Sequence, residues 1–333
     1  MVEELERAGS EHVAWPIGRK SLATLRLVPR LRRFLRHEGV DILHARSRLP
    51  AWIAWLAWRG MREDARPRFV TTVHGLYSVN RYSAVMTRGE RVEVVSETVR
   101  RYVLDNYPKL DPSRIELIYR GVDPAEFPYG FQPSPAWLDE WYKRYPQLRG
   151  SKIVTLPGRL TRLKGHHAFI EMISRVHERG FRVHGLIVGG EDPRRREYAR
   201  ELEREVEAKG LGRYVTFAGH RSDMREIYAV SDLVLSLSAK PESFGRTVLE
   251  ALSLGTPVLG YDHGGVGEIL AHVYPMGRTP VDDVATLVDK VTALLFHPVA
   301  VPREHPFPLQ RMLDGTLNLY ESLAVRGRGA EIE

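Results

Sequence analysis

The most constraining feature of this sequence is an alternation of short apolar runs, rich in Val, Ile and Leu, with longer segments of helical periodicity. The apolar runs stand at 40–44, 69–74, 91–95, 115–119, 152–156, 183–188, 214–218, 233–237 and 258–261. Strands that are apolar along their whole length and are separated by helices are typical of parallel sheets with both faces covered. The sequence therefore predicts an α/β protein with doubly wound, Rossmann-like sheets.

The strands fall into two series, separated by a stretch at 124–150 that is rich in Pro, Tyr and Trp. A chain of 333 residues is longer than one ordinary core supports, and 43% hydrophobic residues are enough for two cores. We expect an N-terminal domain at 1–135, a second domain at 136–305, and a C-terminal helix at 306–325 that returns to the first domain. Because doubly wound sheets bind ligands beyond the carboxyl ends of their strands, the cleft between the domains is the expected ligand site.

The composition excludes several kinds of chemistry. The chain has no cysteine, which rules out disulfides, thiolate nucleophiles and Cys-ligated zinc. No apolar run approaches the roughly 20 residues of a membrane-spanning helix, and the longest, 49–58, predicts a buried helix instead. No Gly-x-Gly-x-x-Gly turn opens either series of strands, which argues against a dehydrogenase. We expect a cytoplasmic protein.

The net charge of +7 lies entirely in the first half of the chain. Residues 1–150 contain 25 basic and 18 acidic residues, whereas 151–333 contain 24 of each. Between 21 and 38 an apolar stripe at helical spacing is flanked by Arg26, Arg30, Arg32, Arg33 and Arg36. Two interpretations stay open: a surface helix packed on its own core, or a helix that touches anionic lipid on the inner face of the plasma membrane or a phosphorylated acceptor. Nucleic acid is not an expected partner, because no binding motif accompanies the charge.

The segment at 240–251 has the pattern of a loop that enters a helix. Glu242 lies in the loop and Glu250 about two turns inside the helix, which Gly255 ends. The amides of Phe244 and Gly245 would point out of the helix start, an arrangement suited to phosphate. A carboxylate there would repel the anion that the helix attracts, so a purely structural Glu242 is unexpected. On spacing alone, Glu250 fits a solvated helix residue equally well.

A second cluster follows the first strand of the second series. It contains Gly158, Arg159 and Lys164, and the two cations can reach a diphosphate, the arginine as a fork and the lysine as a point charge. Ordinary surface charge is the alternative for both. A third element, the glycine turn at Gly264 and Gly265, stands between a strand and a helix and is weak evidence by itself.

Together these segments resemble the retaining glycosyltransferases of family 4, which have the GT-B fold of two Rossmann-like domains. The family's E-x7-E motif matches Glu242 and Glu250, its Gly-Arg and Lys-Gly element matches 158–159 and 164–165, and its glycine turn before a Glu matches 264–268. The resemblance covers essentially the whole chain and is strongest over 152–270. The Thr-Val-His-Gly stretch at 72–75 is similar to transferases that build lipopolysaccharide or related surface glycans.

The resemblance implies roles for particular residues. Two would be catalytic: Glu242, which would face the donor sugar, and His74, which would sit by the reacting sugar. A histidine at a strand end is, without the resemblance, equally typical of a structural hydrogen bond. Eight would bind the donor: Arg159 and Lys164 at the diphosphate, Glu250 at the ribose, and Gly158, Phe244, Gly245, Gly264 and Gly265 around the phosphates and sugar.

The implied activity is transfer of a sugar from a nucleotide diphosphate to a glycan or glycolipid acceptor. No Asp-x-Asp motif occurs, so we expect neither a metal nor another cofactor. Nothing before Val40 matches the strand and glycine-rich loop that open this family's first domain, so that domain is expected to lack its first strand–loop–helix unit, either because the true start lies upstream or because the form is naturally shortened. A nucleotide-sugar-binding protein without transfer activity and a GT-B sugar-nucleotide epimerase are the alternative functions.

Overall fold

The computed structural model describes residues 2–18, 21–190 and 196–328. Its contacts divide the chain into two compact units. The N-terminal unit comprises the described residues of Met1–Val94, Arg100–Leu117 and Leu317–Glu333, and the C-terminal unit comprises those of Val95–Val99 and Ile118–Thr316. Residues 118–135, which the sequence analysis assigned to the first domain, therefore group with the second unit. No helix among the described residues is both long enough and apolar enough to cross a membrane.

The N-terminal unit contains a four-stranded parallel sheet in the order β1-β2-β3-β4. The strands are β1 (Ile42–Ala45), β2 (Arg68–Val73), β3 (Arg91–Val94) and β4 (Ile115–Leu117). The helices are α1 (Val2–Arg7), α2 (Leu27–His37), α3 (Arg48–Arg59) and α4 (Glu97–Asn106), whose first turn groups with the C-terminal unit. All but the first residue of β2 are buried, as expected of a strand with a neighbour on each side.

The arginine-rich segment forms α2, and its apolar stripe is used within the unit. Leu27, Leu31 and Leu35, spaced four residues apart, are all buried, and α2 packs against α3. Arg32 points at the end of α3, where its guanidinium donates to the carbonyl oxygens of Ala57 (3.3 Å) and Leu56 (3.4 Å). A cation there complements the negative end of the helix dipole. For the apolar stripe and for Arg32, the structure therefore agrees with the first interpretation of this segment, a surface helix packed on its own core.

The C-terminal unit contains a six-stranded parallel sheet in the order β10-β9-β8-β5-β6-β7. The strands are β5 (Ile153–Pro157), β6 (His184–Val188), β7 (Val215–Gly219), β8 (Leu233–Ser236), β9 (Val258–Tyr261) and β10 (Arg278–Thr279). The helices are α5 (Pro135–Arg144), α6 (His166–Glu178), α7 (Arg196–Ala208), α8 (Met224–Ala229), α9 (Arg246–Ser253), α10 (Gly264–Val273) and α11 (Val284–Phe296). A last helix, α12 (Leu309–Arg328), begins in this unit and ends in the N-terminal one.

The prediction of two Rossmann-like parallel sheets is confirmed, and all nine predicted strands lie within two residues of their expected bounds. Three elements were not predicted: β10, α5 and α11. The two-residue strand β10 is too short to carry a pattern. Helix α5 lies inside the stretch interpreted as a connection, although Ser134 caps it and Pro135 opens it in the ordinary way. The sequence predicts a helix over 193–209, and its first residues fall in the segment 191–195, which lies outside the described residues.

Candidate active site

Three loops of the C-terminal unit carry most of the predicted site residues. They follow β5, β8 and β9, which are neighbours in the order β9-β8-β5. Because these strands are parallel, their carboxyl ends share one edge of the sheet, and the loops that leave them meet there. The loops span 158–165, 237–245 and 262–263, and the last two lead directly into α9 and α10.

An ion pair joins the first two loops. The Lys164 ammonium lies 2.6 Å from Oε1 of Glu242, and the Ser238 hydroxyl donates to the same oxygen. Lys164 and Glu242 are only 31% and 24% exposed in their side chains, so water screens their attraction less than it would at the surface. The structure thus brings together two residues to which the resemblance gave separate tasks, the diphosphate and the donor sugar.

Backbone contacts hold the same two loops in register. The Ala239 amide donates to the Leu163 carbonyl oxygen at 2.9 Å. Gly165 has φ +74, and a Cβ there would lie 2.0 Å from the Leu237 carbonyl oxygen, so only glycine allows this approach. The position of Lys164 relative to Glu242 is therefore fixed by main-chain contacts that lie one residue from Lys164 on the first loop and three to five residues before Glu242 on the second.

The glycine turn packs against the Glu242 loop from the other side. The Gly265 amide donates to the Glu242 carbonyl oxygen at 2.8 Å. Gly264 has φ +60, and its Cβ would lie 2.7 Å from that same oxygen, while a Cβ on Gly265 would lie 2.3 Å from Cα of Phe244. His263 adds a hydrogen bond from Nε2 to the Ser238 carbonyl oxygen at 2.8 Å. Gly264 and Gly265 therefore allow the backbone of the glycine turn to contact the backbone of the Glu242 loop. The role of these two glycines in binding the donor remains a prediction.

The remaining residues of the first loop differ in exposure. Gly158 has φ +144, and a Cβ there would lie 3.2 Å from Cδ of Lys164, so the lysine stem passes over this glycine. Arg159 is exposed. The lysine is thus placed by its neighbours, whereas the arginine head stands in solvent, where it is accessible to a ligand.

Glu250 is buried, which rules out the solvated helix residue of the sequence analysis. It lies in α9 at 8% exposure and accepts a hydrogen bond from Nε of Arg246 at 2.7 Å. Burial raises the pKa of this carboxyl above its usual range, and the Arg246 guanidinium opposes the rise only in part. A buried carboxyl with a raised pKa is typical of a site that keeps a polar group for function.

Sequence reasoning missed several contacts that support the site. Glu268, one turn into α10, accepts hydrogen bonds from the amides of Glu97 (2.9 Å) and Thr98, at the first turn of α4. Ser96 donates to the Ser243 carbonyl oxygen at 2.6 Å, and its hydroxyl also caps α4 by accepting a hydrogen bond from the Val99 amide. No local pattern identifies the contacts of Glu268 with α4 or of Ser96 with Ser243, because each joins segments more than 140 residues apart.

His74 follows β2 and is half-buried. It belongs to the N-terminal unit, whereas the nine other predicted site residues belong to the C-terminal unit. Its place beside a reacting sugar stays a prediction.

The pKa of Glu250 gives a test of this description. Since the folded state raises that pKa, the stability contributed by the protonated carboxyl is complete below the unfolded pKa and is lost as pH rises through the folded value. We expect the free energy of unfolding of the parent to fall relative to that of Glu250→Gln as pH rises from about 4 to about 7. Urea denaturation at several pH values measures this difference. Glu203→Gln, which removes an exposed carboxylate of α7, is the matched control, and an opposite trend for Glu250→Gln would show that its carboxylate stabilises the fold.

Comparisons with known families agree with this architecture. Residues 139–301 match the family model described as glycosyl transferases group 1, and residues 3–126 match the model described as Glycosyltransferase Family 4. The two matched regions together cover both sheets, and the first contains the three loops.

Relatives and solved structures with related sequences or folds carry similar descriptions. The chain is 28% identical over 263 residues to the D-inositol 3-phosphate glycosyltransferase of Corynebacterium urealyticum, covering 72% of this chain and 59% of the relative. It is 27% identical to the N-acetyl-alpha-D-glucosaminyl L-malate synthase of Bacillus anthracis, covering 81% and 69%. The structure of a glycosyltransferase from Rickettsia africae superposes with a TM-score of 0.81 at 25% identity, covering 97% and 87%. Anabaena HepE in complex with UDP gives a TM-score of 0.75 at 19% identity, covering 98% and 87%.

Proposed function

We propose that this chain, which has the fold and both family domains of the GT-B glycosyltransferases, transfers a sugar from a nucleotide diphosphate to a glycan or glycolipid acceptor with retention of configuration. The observation that carries the proposal is the Lys164–Glu242 pair, held by three loops at the carboxyl edge of the C-terminal sheet. It places a cation and a carboxylate where a doubly wound sheet takes its ligand.

The charge of the leaving diphosphate would give Lys164 and Arg159 their role. As the bond between the sugar and the diphosphate breaks, negative charge builds up on the phosphate oxygens, and fixed cations stabilise it. Lys164 would exchange Glu242 for the diphosphate when the donor binds, and the exposed Arg159 would add a forked contact. The loop amides at Phe244 and Gly245, at the start of α9, would complete this anion site.

The two glutamates would act at different parts of the donor. Released from Lys164, the Glu242 carboxylate would accept hydrogen bonds from the donor sugar and stabilise positive charge that develops on it. Glu250, about one turn into α9, would hold the ribose hydroxyls. His74 of the N-terminal unit would contact the reacting sugar. The hydroxyl of the acceptor then replaces the diphosphate at the anomeric carbon, and its proton leaves with the phosphate.

The comparisons suggest which donors to test first. Anabaena HepE is described in complex with UDP and with UDP-glucose, which makes uridine diphosphate sugars the first candidates. The chain spans about three fifths of the length of the Corynebacterium relative, so the acceptor is proposed only as a class. We place the reaction in the synthesis of lipopolysaccharide or another surface glycan, at the inner face of the plasma membrane. Arg26, immediately before α2, and Arg33 and Arg36 on α2 are exposed and would face anionic lipid.

Replacing Lys164 or Arg159 with Ala should weaken binding of a nucleoside diphosphate much more than binding of the nucleoside, because the partner of both side chains would be phosphate. Loss of one charge-assisted contact costs about 1.5–3 kcal/mol, which corresponds to roughly 10- to 150-fold in affinity. Calorimetric titration with UDP and uridine measures both. Arg162→Ala is the matched control, since this arginine of the same loop pairs with Glu201. Equal losses for UDP and uridine would contradict the assignment.

Glu242→Gln should mainly lower kcat, by about 100-fold or more, while the donor KM changes little, because stabilisation of a developing charge is gained only in the transition state. Steady-state kinetics with varied UDP-sugar, with donor hydrolysis as the readout where no acceptor is known, measures this. Binding without any release of nucleotide in the parent would favour a nucleotide-sugar-binding protein, and interconversion of donor sugars would favour an epimerase.

Turnover should continue in the presence of excess EDTA, since Lys164, Arg159 and the helix start would together meet the phosphate charge. The measurement is the rate of donor hydrolysis or transfer before and after dialysis against chelator. Complete loss of turnover that magnesium or manganese restores would contradict the proposal that the enzyme needs no metal. The assignment of Lys164 and Arg159 to the diphosphate would then be tested by the binding experiment alone.

A further inference from the structure

Three cations stand immediately before three neighbouring strands of the C-terminal unit. Lys152 precedes β5 by one residue, Arg182 precedes β6 by two, and Arg213 precedes β7 by two. These strands are parallel and adjacent in the order β5-β6-β7, so their amino ends share one edge of the sheet. That edge is opposite the one at which the three loops of the candidate active site leave the strands.

The three cations line one pocket. Its volume is about 250 Å³, and its other lining residues are Gln147, Gly150, Ser151, Val183, His184 and Tyr214. None of these lining residues is acidic. A concave site with several cationic side chains and no carboxylate on its wall attracts anions and repels cations.

Neighbouring groups hold two of the cations in place. Nη1 of Arg182 donates to the Tyr214 hydroxyl at 2.5 Å, and the Tyr214 ring packs against His177, with 4.2 Å between ring centroids. Lys152 donates to Asp232 at 2.7 Å. That one carboxylate compensates Lys152, so Arg182 and Arg213 provide the excess positive charge. A cation whose geometry is already fixed loses less conformational freedom when a ligand binds.

The floor of the pocket is polar and uncharged near neutral pH. His184 is buried and its Nε2 lies 2.8 Å from Oγ1 of Thr216, which also accepts a hydrogen bond from the Gln147 amide at 2.9 Å. Burial, with a smaller effect of His177, lowers the pKa of His184 to about 4. The charge preference of the pocket therefore comes from its rim, and the floor supplies hydrogen bonds.

We propose that this pocket binds a phosphate monoester, at a site separate from the proposed donor site. Two arginine forks match the oxygens of a phosphate, and the pocket is too small for a whole nucleotide sugar to be enclosed. The same chemistry is presented by two sources, a soluble phosphorylated molecule and a phospholipid headgroup. The proposal does not depend on the transfer reaction, because it uses none of the residues assigned to it.

Inorganic phosphate, titrated calorimetrically, is the probe. The protein carries Arg159→Gln and Lys164→Gln, so that the donor site does not contribute. Adding Arg182→Gln and Arg213→Gln should weaken phosphate binding at least tenfold. Adding Arg200→Gln and Arg204→Gln instead, on the surface of α7, is the matched control and should leave the affinity unchanged. The double replacement of Arg182 and Arg213 by Lys keeps both charges and should retain part of the affinity. If the Gln pair melts early, the single variants Arg182→Gln and Arg213→Gln are measured instead, and each should weaken phosphate binding. Equal phosphate affinity with and without the Arg182 and Arg213 substitutions overturns the proposal.

Vesicles distinguish the two sources. Parent protein is sedimented with phosphatidylcholine vesicles that contain or lack phosphatidic acid. If Arg182→Gln/Arg213→Gln abolishes the dependence on phosphatidic acid and Arg26→Gln/Arg33→Gln/Arg36→Gln does not, the ligand is a lipid headgroup. If phosphate binds in the pocket but vesicle binding is insensitive to Arg182 and Arg213, the ligand is a soluble phosphate ester.

Discussion

The candidate active site depends on the close approach of backbones. The glycine turn rests directly on the loop that carries Glu242, with the Gly265 amide 2.8 Å from the Glu242 carbonyl oxygen. A side chain at Gly264 or Gly265 would collide with that loop and would displace it. Because Glu242 in turn holds Lys164, the position of the cation follows from the same packing. The charged groups are placed by main-chain contacts, which are stiffer than side-chain contacts between long polar residues.

The second constraint is electrostatic. A carboxylate next to an anion site raises the free energy of a bound anion, unless the carboxylate has its own partner. Lys164 and the Ser238 hydroxyl provide that partner for Glu242 without a ligand. For Glu250 the free-energy cost of burying a charged carboxylate remains, since burial raises its pKa and the Arg246 guanidinium offsets the rise only in part. Such a residue opposes folding near neutral pH, and proteins keep such residues where a function requires them.

The two edges of the C-terminal sheet carry different charge arrangements. At the carboxyl edge, the Lys164 cation is paired with the Glu242 carboxylate, which suits a ligand that has both a phosphate and a sugar. At the amino edge, Arg182 and Arg213 have no lining carboxylate opposite them. The same sheet order that aligns the active-site loops also aligns these cations, because parallel strands bring every strand start to one side and every strand end to the other.

The sequence by itself determined the fold class and the order of elements. Apolar strand runs and helical periodicity are local properties, so nine strands could be located within two residues. The E-x7-E spacing placed one glutamate in a loop and the other inside α9, although α9 begins at Arg246 and Glu250 therefore lies about one turn from the helix start, not two. The tertiary structure alone decided which side chains meet. Lys164 and Glu242 are 78 residues apart, and Glu268 and Glu97 are 171 apart. Such pairings depend on the strand order β9-β8-β5 and on backbone packing at single glycines, which no periodicity encodes. The sequence did not decide whether Glu250 is buried for the same reason, because the exposure of a helix residue depends on the segments that pack over it.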